Sequence, residues 1–404
     1  MAPKIFEGLK ILDMCWIGIG PVTIKYFADH GATVIHVETR THLDTLRLGG
    51  PFRDGVTDPD MCGFFANFNS SKYGITLNLN DPRAIEIAKQ LVSWADIVAE
   101  SYTPRAMRKW GLDYENLIKI KPDIIMFSSC QQGGTGPYKD YPGFGGQGAA
   151  IAGYNHLTGW PDREPAMPYG AYTDFINPKM GSLAICAALD YHRRTGKGTH
   201  IDHSQIEGGL QFLAPTFAEY SANGEFPNRA GNRSDEYAPH GVFPCVGDER
   251  WIAIASLNDD HWNSIANVLG HDEWAADEKF STFELRKANE DELEEQIGSV
   301  TVEWDAYKLM EALQNAGVPA GVVQKTSDLF DDPQLTHRKH FWFLEHAAIG
   351  VHSYDGPSFR MSKTPGELTM AAPILGQHNE YVYKEILGMS EDEYVELLVE
   401  DVFE

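Results

Sequence analysis

Short strand-length runs alternating with helical stretches over the first 130 residues constrain this chain more than any other feature. Lys10-Ile11-Leu12-Asp13-Met14 is a short apolar run, broken by Gly18-Ile19-Gly20. Pro21 suits the opening of a helix, Val22 to His30 make its body, Gly31 ends it, and Thr33-Val34-Ile35-His36-Val37-Glu38 reads as a β-branched strand. A helix over 81–91, a strand over 95–100 and another over 123–128 continue the series. Strands that alternate with helices predict a parallel sheet covered on both faces. The expected fold class is α/β, with a Rossmann-like parallel sheet in the larger of two domains.

Further along, residues 131–172 are rich in Gly, Pro, Tyr and Trp and show little periodicity, and loops of that length tend to be functional. A long helix is expected over 179–194 and a strand over 199–202. Between about 225 and 325 the texture changes. Trp251-Ile252-Ala253-Ile254-Ala255 is a strand, and acidic amphipathic helices follow it. This predicts a smaller α+β domain at 225–325, with 1–224 and 326–404 forming the large domain.

Charge narrows the partners. The 404 residues carry 33 basic and 58 acidic side chains, a net charge of -25. Such a surface repels nucleic acid and anionic membranes, so neither is an expected partner, and a small anionic ligand needs a local basic pocket. No segment reaches the roughly 20 apolar residues of a membrane helix. Met1-Ala2-Pro3-Lys4-Ile5-Phe6 lacks the apolar stretch of a secretory signal, so a cytoplasmic protein is expected. Five cysteines without a CxxC pair suggest reduced thiols, each most simply a small core residue, and no metal site.

Gly18-x-Gly20 between strand and helix, with Glu38 closing the next strand, invites a nicotinamide-dinucleotide reading. The third glycine position is Thr23, and Pro21 removes an N–H that would face the pyrophosphate. A turn that binds no dinucleotide is the better reading.

The segment richest in chemistry runs from Tyr169 to Gly181. Asn177 reads as a helix cap and Pro178 as a first helical residue, placing Asp174 just ahead of the helix. The helix body is apolar nearly all round and predicts burial; His192-Arg193-Arg194 and Gly196 close it. A carboxylate at such a positive end is expected to stay ionised and can attack a thioester. Spacing alone favours a plain helix-capping acid.

The segment resembles the catalytic strand and helix of the family III CoA transferases, a superfamily that includes the α-methylacyl-CoA racemases. Asp174 stands 21 residues ahead of Thr195-Gly196-Lys197-Gly198, as in that family. Ordered matches run along the chain, among them Asn69-Ser70-Ser71-Lys72, Gly136-Pro137-Tyr138, Ala238-Pro239-His240-Gly241 and Gly317-Val318-Pro319-Ala320-Gly321. The resemblance implies the CoA-transferase III fold and an intertwined dimer, either with itself or with a homologous subunit. It implies Asp174 as nucleophile through an aspartyl anhydride and an aspartyl-CoA thioester. Backbone donors would lie around Gly18 and Ile19 and near 231–241. CoA would be a substrate, with no permanently bound cofactor, and its contacts are expected at Arg40, Lys72, Arg105, Ala106, Lys109 and Tyr141. The histidine that the racemases use aligns with Phe144, which cannot exchange a proton, so the transferase branch is expected. Departures include Gly18 in place of a glutamine and Arg233-Ser234-Asp235-Glu236-Tyr237 in place of a glycine-rich loop. Aromatic residues such as Tyr138, Tyr141, Phe144 and Tyr169 suggest a bulky acceptor acid, for example an aryl-substituted succinate, with succinyl-CoA as donor. The alternatives are a non-catalytic CoA-binding subunit of a heteromeric transferase, or an acyl-CoA racemase.

Overall fold

The computed structural model describes residues 3–404; Met1 and Ala2, the first residues of the segment expected to lack a leader, lie outside them. The chain divides into two compact units. One comprises Met1–Tyr154, Met167–Glu225 and Thr336–Glu404, the other Asn155–Ala166 and Phe226–Leu335. Residues 155–166 and 326–335, which the sequence assigns to the large domain, fall within the smaller unit.

The larger unit is built on a six-stranded sheet of β1 (Lys10–Met14), β2 (Thr33–Glu38), β3 (Tyr73–Thr76), β4 (Ile97–Glu100), β5 (Ile125–Cys130) and β6 (Thr199–Ser204). All neighbouring pairs are parallel, in the order β3-β2-β1-β4-β5-β6. Ile11, Val34, Ile97 and Phe127 face α1 (Ile19–Ala28) and a long helix (Tyr172–Thr195), joining Ile24, Phe27, Ile185 and Ala188 in one core. Their neighbours Leu12, Ile35, Val98 and Met126 face the opposite way, packing with Ile87 and Leu91 of α2 (Pro82–Trp94) and with Val402. Burial on both faces explains why these strands read as apolar runs rather than alternating ones.

Strand order reverses between β1 and β4. In open α/β sheets ligands bind at such a switch point, beyond the carboxyl ends of the strands. The two loops that leave β1 and β4 there are tied together: the Trp16 N–H donates to Ser101 Oγ at 2.8 Å, and Ser101 Oγ donates back to the Trp16 carbonyl at 3.3 Å.

The sequence places the long helix too late. It begins at Tyr172, so Asp174 sits in its first turn and Pro178 inside it. Pro178 supplies no N–H to the Asp174 carbonyl one turn earlier. Asn177, expected as a cap, is buried, and its amide donates to the carbonyls of Thr173 at 2.8 Å and Gln205 at 2.9 Å. The helix is also not buried all round: Ile185 and Ala188 are buried, while Leu183, Cys186 and Ala187 are exposed, Leu183 by 67%. A short helix (Gly145–Ile151) interrupts the stretch expected to be loop.

The smaller unit holds an antiparallel sheet of β7 (His240–Pro244), β8 (Trp251–Ala255) and β9 (Ala320–Val323). Phe243, Ile252, Ile254, Trp262, Leu293 and Leu309 form its core. No helix among the described residues is long and apolar enough to cross a membrane.

Candidate active site

Side chains from three places hold the loop between β1 and α1, one backbone amide after another. The Cys15 N–H donates to Asp13 Oδ1 at 3.0 Å, the Trp16 N–H to Ser101 Oγ, and the Ile17 N–H to Asp44 Oδ2 at 3.0 Å. Ile17 has φ +67°, a left-handed conformation that a β-branched residue rarely adopts. Gly18 then caps α1, and Ile19 is the first helical residue. The opening N–H groups of a helix have no partner within it and carry its positive end.

Gly18 lies against Asp174: a Cβ there would stand 3.0 Å from Asp174 Oδ2. Gly145 crowds the same carboxyl group so closely that a Cβ would overlap its carbon. Gly145 is held in turn by Thr173, whose hydroxyl donates to its carbonyl at 3.1 Å, and Gln131 Nε2 donates to the Phe144 carbonyl at 3.0 Å.

The Asp174 carboxyl group is thus wedged between two stretches of backbone. Among the described residues it makes no side-chain hydrogen bond or ion pair. Burial pushes its pKa up to about 7. This corrects the expectation of a fully ionised carboxylate, because loss of water outweighs the helix end. Near neutral pH the group is divided between its two protonation states.

Beneath the loop lies a buried charge network. Lys72 is fully buried, and its Nζ donates to Asp13 Oδ2 at 2.8 Å, Asn69 Oδ1 at 2.9 Å and the Pro21 carbonyl at 3.0 Å. Its three donors are all engaged, which overturns the expectation that it binds a CoA phosphate. Burial alone would raise the Asp13 pKa, yet Lys72 and the His36 Nδ1 at 3.0 Å hold it well below the carboxylate range. Glu38 is clamped by Arg47, with two contacts of 2.7 Å. It is therefore spoken for, and the dinucleotide reading loses its ribose-binding acid.

The remaining expected CoA contacts are accessible. After β4, the helix Pro104–Trp110 exposes Arg105 and Lys109 one turn apart, with Ala106 half-buried beside them and Arg108 also exposed. Arg105, Arg108 and Lys109 form no ion pair among the described residues. Arg40 follows β2, exposed, and donates to the Leu375 carbonyl at 3.2 Å. Tyr141 is exposed and packs on Tyr138 with ring centres 5.3 Å apart. A cavity of about 390 Å³ beside β6 is lined by Gln132, Gly136, Tyr138, Asp202, Ser204 and Glu207.

The residues around 231–241 belong to the smaller unit, where Arg233, Trp160 and Trp251 line a cavity of about 880 Å³. Arg233 is held there by Asp291 at 2.5 Å and Glu294 at 2.6 Å.

Sequence reasoning misses Gly145, Asp44, Ser101 and Gln131. The Gly145-Gly146 pair is the one local signal that flags any of them.

Residues 6–379 match the family described as CoA-transferase family III. The chain is 30% identical to the succinyl-CoA–D-citramalate CoA-transferase of Chloroflexus aurantiacus, over 97% of this chain and 96% of that protein. It is 30% identical to the succinyl-CoA:glutarate CoA-transferase of Mus musculus, over 99% and 91%. Identity to the acetyl-CoA:oxalate CoA-transferase of Acetobacter aceti is 33%, over 94% and 95%. The solved structure of a CaiB/BaiF family protein from Brucella suis superposes with a TM-score of 0.88 at 31% identity, covering 95% of this chain and 100% of that one. A match that runs from before β1 to beyond the hairpin of Phe341–His346 and Gly350–Asp355 leaves one assignment: this chain belongs to CoA-transferase family III and is an enzyme of the CoA-transferase type.

Proposed function

We propose that this enzyme moves CoA from an acyl-CoA to a carboxylic acid with Asp174 as the covalent nucleophile. The observation that carries this is the carboxyl group pressed between Gly18 and Gly145 without a side-chain partner. A carboxylate with few hydrogen bonds, in a poorly hydrated site, keeps its electron pairs for attack.

The steps balance without an external proton or oxidant. The Asp174 carboxylate attacks the thioester carbonyl, the C–S bond breaks, and CoA thiolate leaves a mixed anhydride. The thiolate then attacks the aspartyl carbonyl and releases the donor acid as its carboxylate, forming an aspartyl-CoA thioester. The acceptor carboxylate attacks the aspartyl-CoA carbonyl, the C–S bond breaks to release CoA thiolate and leave a second mixed anhydride, and the thiolate attacks the acceptor acyl carbon, freeing the Asp174 carboxylate. Forming an anhydride from a thioester is uphill, so binding of the remote nucleotide half of CoA must offset it. The first amides of α1 are suited to the developing oxyanion.

Arg105 and Lys109, exposed on one face of a helix at the switch point, suit the CoA phosphates. The donor and acceptor are proposed to be succinyl-CoA and a short dicarboxylic acid, the class named for several relatives. An aryl-substituted succinate is a bulkier member of that class, consistent with the exposed rings of Tyr138, Tyr141 and Phe144. A racemase would need a second base, and Phe144 offers none.

We also propose that the working form is a dimer. The long helix is apolar nearly all round yet leaves Leu183, Cys186 and Ala187 exposed in a single chain, as expected where a second chain completes the cover. Light scattering at micromolar concentration tests this, a monomer refuting it. Substrate choice is tested by assaying CoA transfer from succinyl-CoA to citramalate, glutarate, malate, oxalate and aryl-succinates. Transfer to none of them would refute the proposed acceptor class.

A further inference from the structure

We infer that Asp44 is a positioning residue, whose carboxylate holds Ile17 in its left-handed conformation so that the backbone from Gly18 onward meets Asp174. This deepens the proposal above, since it rests on Asp174 being the nucleophile.

Asp44 is fully buried. Its Oδ1 accepts the Leu46 N–H at 2.9 Å and its Oδ2 accepts the Ile17 N–H at 3.0 Å. No cation pairs with it among the described residues. A carboxylate buried on backbone amides alone carries a desolvation cost that a serine or asparagine cap would avoid. Here the second oxygen reaches across to a loop 27 residues away in sequence.

Ile17 supplies the independent observation. Glycine would take φ +67° freely, whereas isoleucine there is a strained backbone that persists only when its surroundings enforce it. Asp13 and Ser101 fix the two preceding amides, so Asp44 closes a set of three clamps. The next residue is Gly18, where a Cβ would stand 3.0 Å from Asp174 Oδ2 and crowd it. Releasing Ile17 would let it relax to negative φ and turn the start of α1 away from the carboxylate.

Asp44→Asn keeps an oxygen for Leu46 but turns an amide toward Ile17. The expected result is a fall in kcat of about 100-fold, as for a small misplacement of reacting groups, with KM for the acyl-CoA changed by less than about twofold. The titration midpoint of Asp174, followed by ¹³C NMR of carboxyl-labelled aspartate and assigned with Asp174→Asn, should rise. The double variant Ile17→Gly/Asp44→Asn should recover most of the kcat, because glycine needs no tether. Since the double variant has the same altered cap, its recovery separates positioning from general damage to the fold. Parent-like kcat in Asp44→Asn, an unmoved Asp174 midpoint, or a double variant no better than the single one would each overturn the inference. If the parent transfers no CoA, the nucleophile proposal falls by itself, and the Asp174 midpoint still decides the role of Asp44.

Discussion

Gly145 stands so close to Asp174 that a single methyl group at position 145 would occupy the space of the carboxyl carbon. Gly18 approaches from elsewhere in the chain, and a Cβ there would come within 3.0 Å of Oδ2. The two glycines form a slot in which this carboxyl group fits and little else does.

Replacing Gly145 by alanine is a sharp probe because the added methyl group would overlap the Asp174 carboxyl group and displace it. The expected outcome is a loss of CoA exchange of about 100-fold or more, as a displaced nucleophile requires. Thermal melting measured in parallel should show a folded protein. Gly18→Ala should lower the rate less.

Activity should rise with pH. Burial pushes the Asp174 pKa from its ordinary 3.8 up to about 7, and only the ionised form attacks. The rate constant kcat/KM for the acyl-CoA should therefore climb through a midpoint near about 7 and level off above it.

The same shift predicts a pH-dependent stability. Below 3.8 the group is protonated in both folded and unfolded chains and favours neither. As pH rises toward about 7 the unfolded chain ionises first, so stability is lost across that window. Asp174→Asn should melt progressively higher than the parent from pH 4 to pH 7, with a constant difference above.

Lys72 is expected to matter for folding rather than for CoA. Lys72→Met leaves buried Asp13 with His36 and the Cys15 N–H but without its lysine partner, at a cost of about 3–5 kcal/mol for breaking a buried pair. Denaturant unfolding measures this directly. The folded fraction should keep the parent's KM for acyl-CoA.

The helix Pro104–Trp110 should behave oppositely. Arg105→Ala and Lys109→Ala should each raise KM for the acyl-CoA about fivefold, the effect of losing one partly solvated charge-assisted contact. The kcat and the melting temperature should hold, and the KM effect should shrink at high salt.

Much of the sheet is legible in the sequence because its strands are buried on both faces and read as uninterrupted apolar runs. The Thr33–Glu38 strand lies where that pattern puts it. The start of the long helix is not legible, because Asn177-Pro178 carries a strong local cap signal. The tertiary contact of Asn177 with Gln205 overrides it. Lys72 is misjudged for a related reason: a lysine in an acidic chain looks like an anion ligand until its burial beside Asp13 is known. Asp44 leaves no trace in the sequence, since its role depends on a backbone angle at Ile17 and on a contact between residues far apart in the chain.

The central claim is that Asp174 carries CoA covalently. Incubation with succinyl-CoA, followed by proteolysis and mass spectrometry, should find the mass of CoA in thioester linkage on the peptide containing Asp174. The adduct should disappear when an acceptor acid is added, and Asp174→Asn should carry none. Turnover at the parent's rate by Asp174→Asn, or steady exchange with that peptide never modified, would contradict the account.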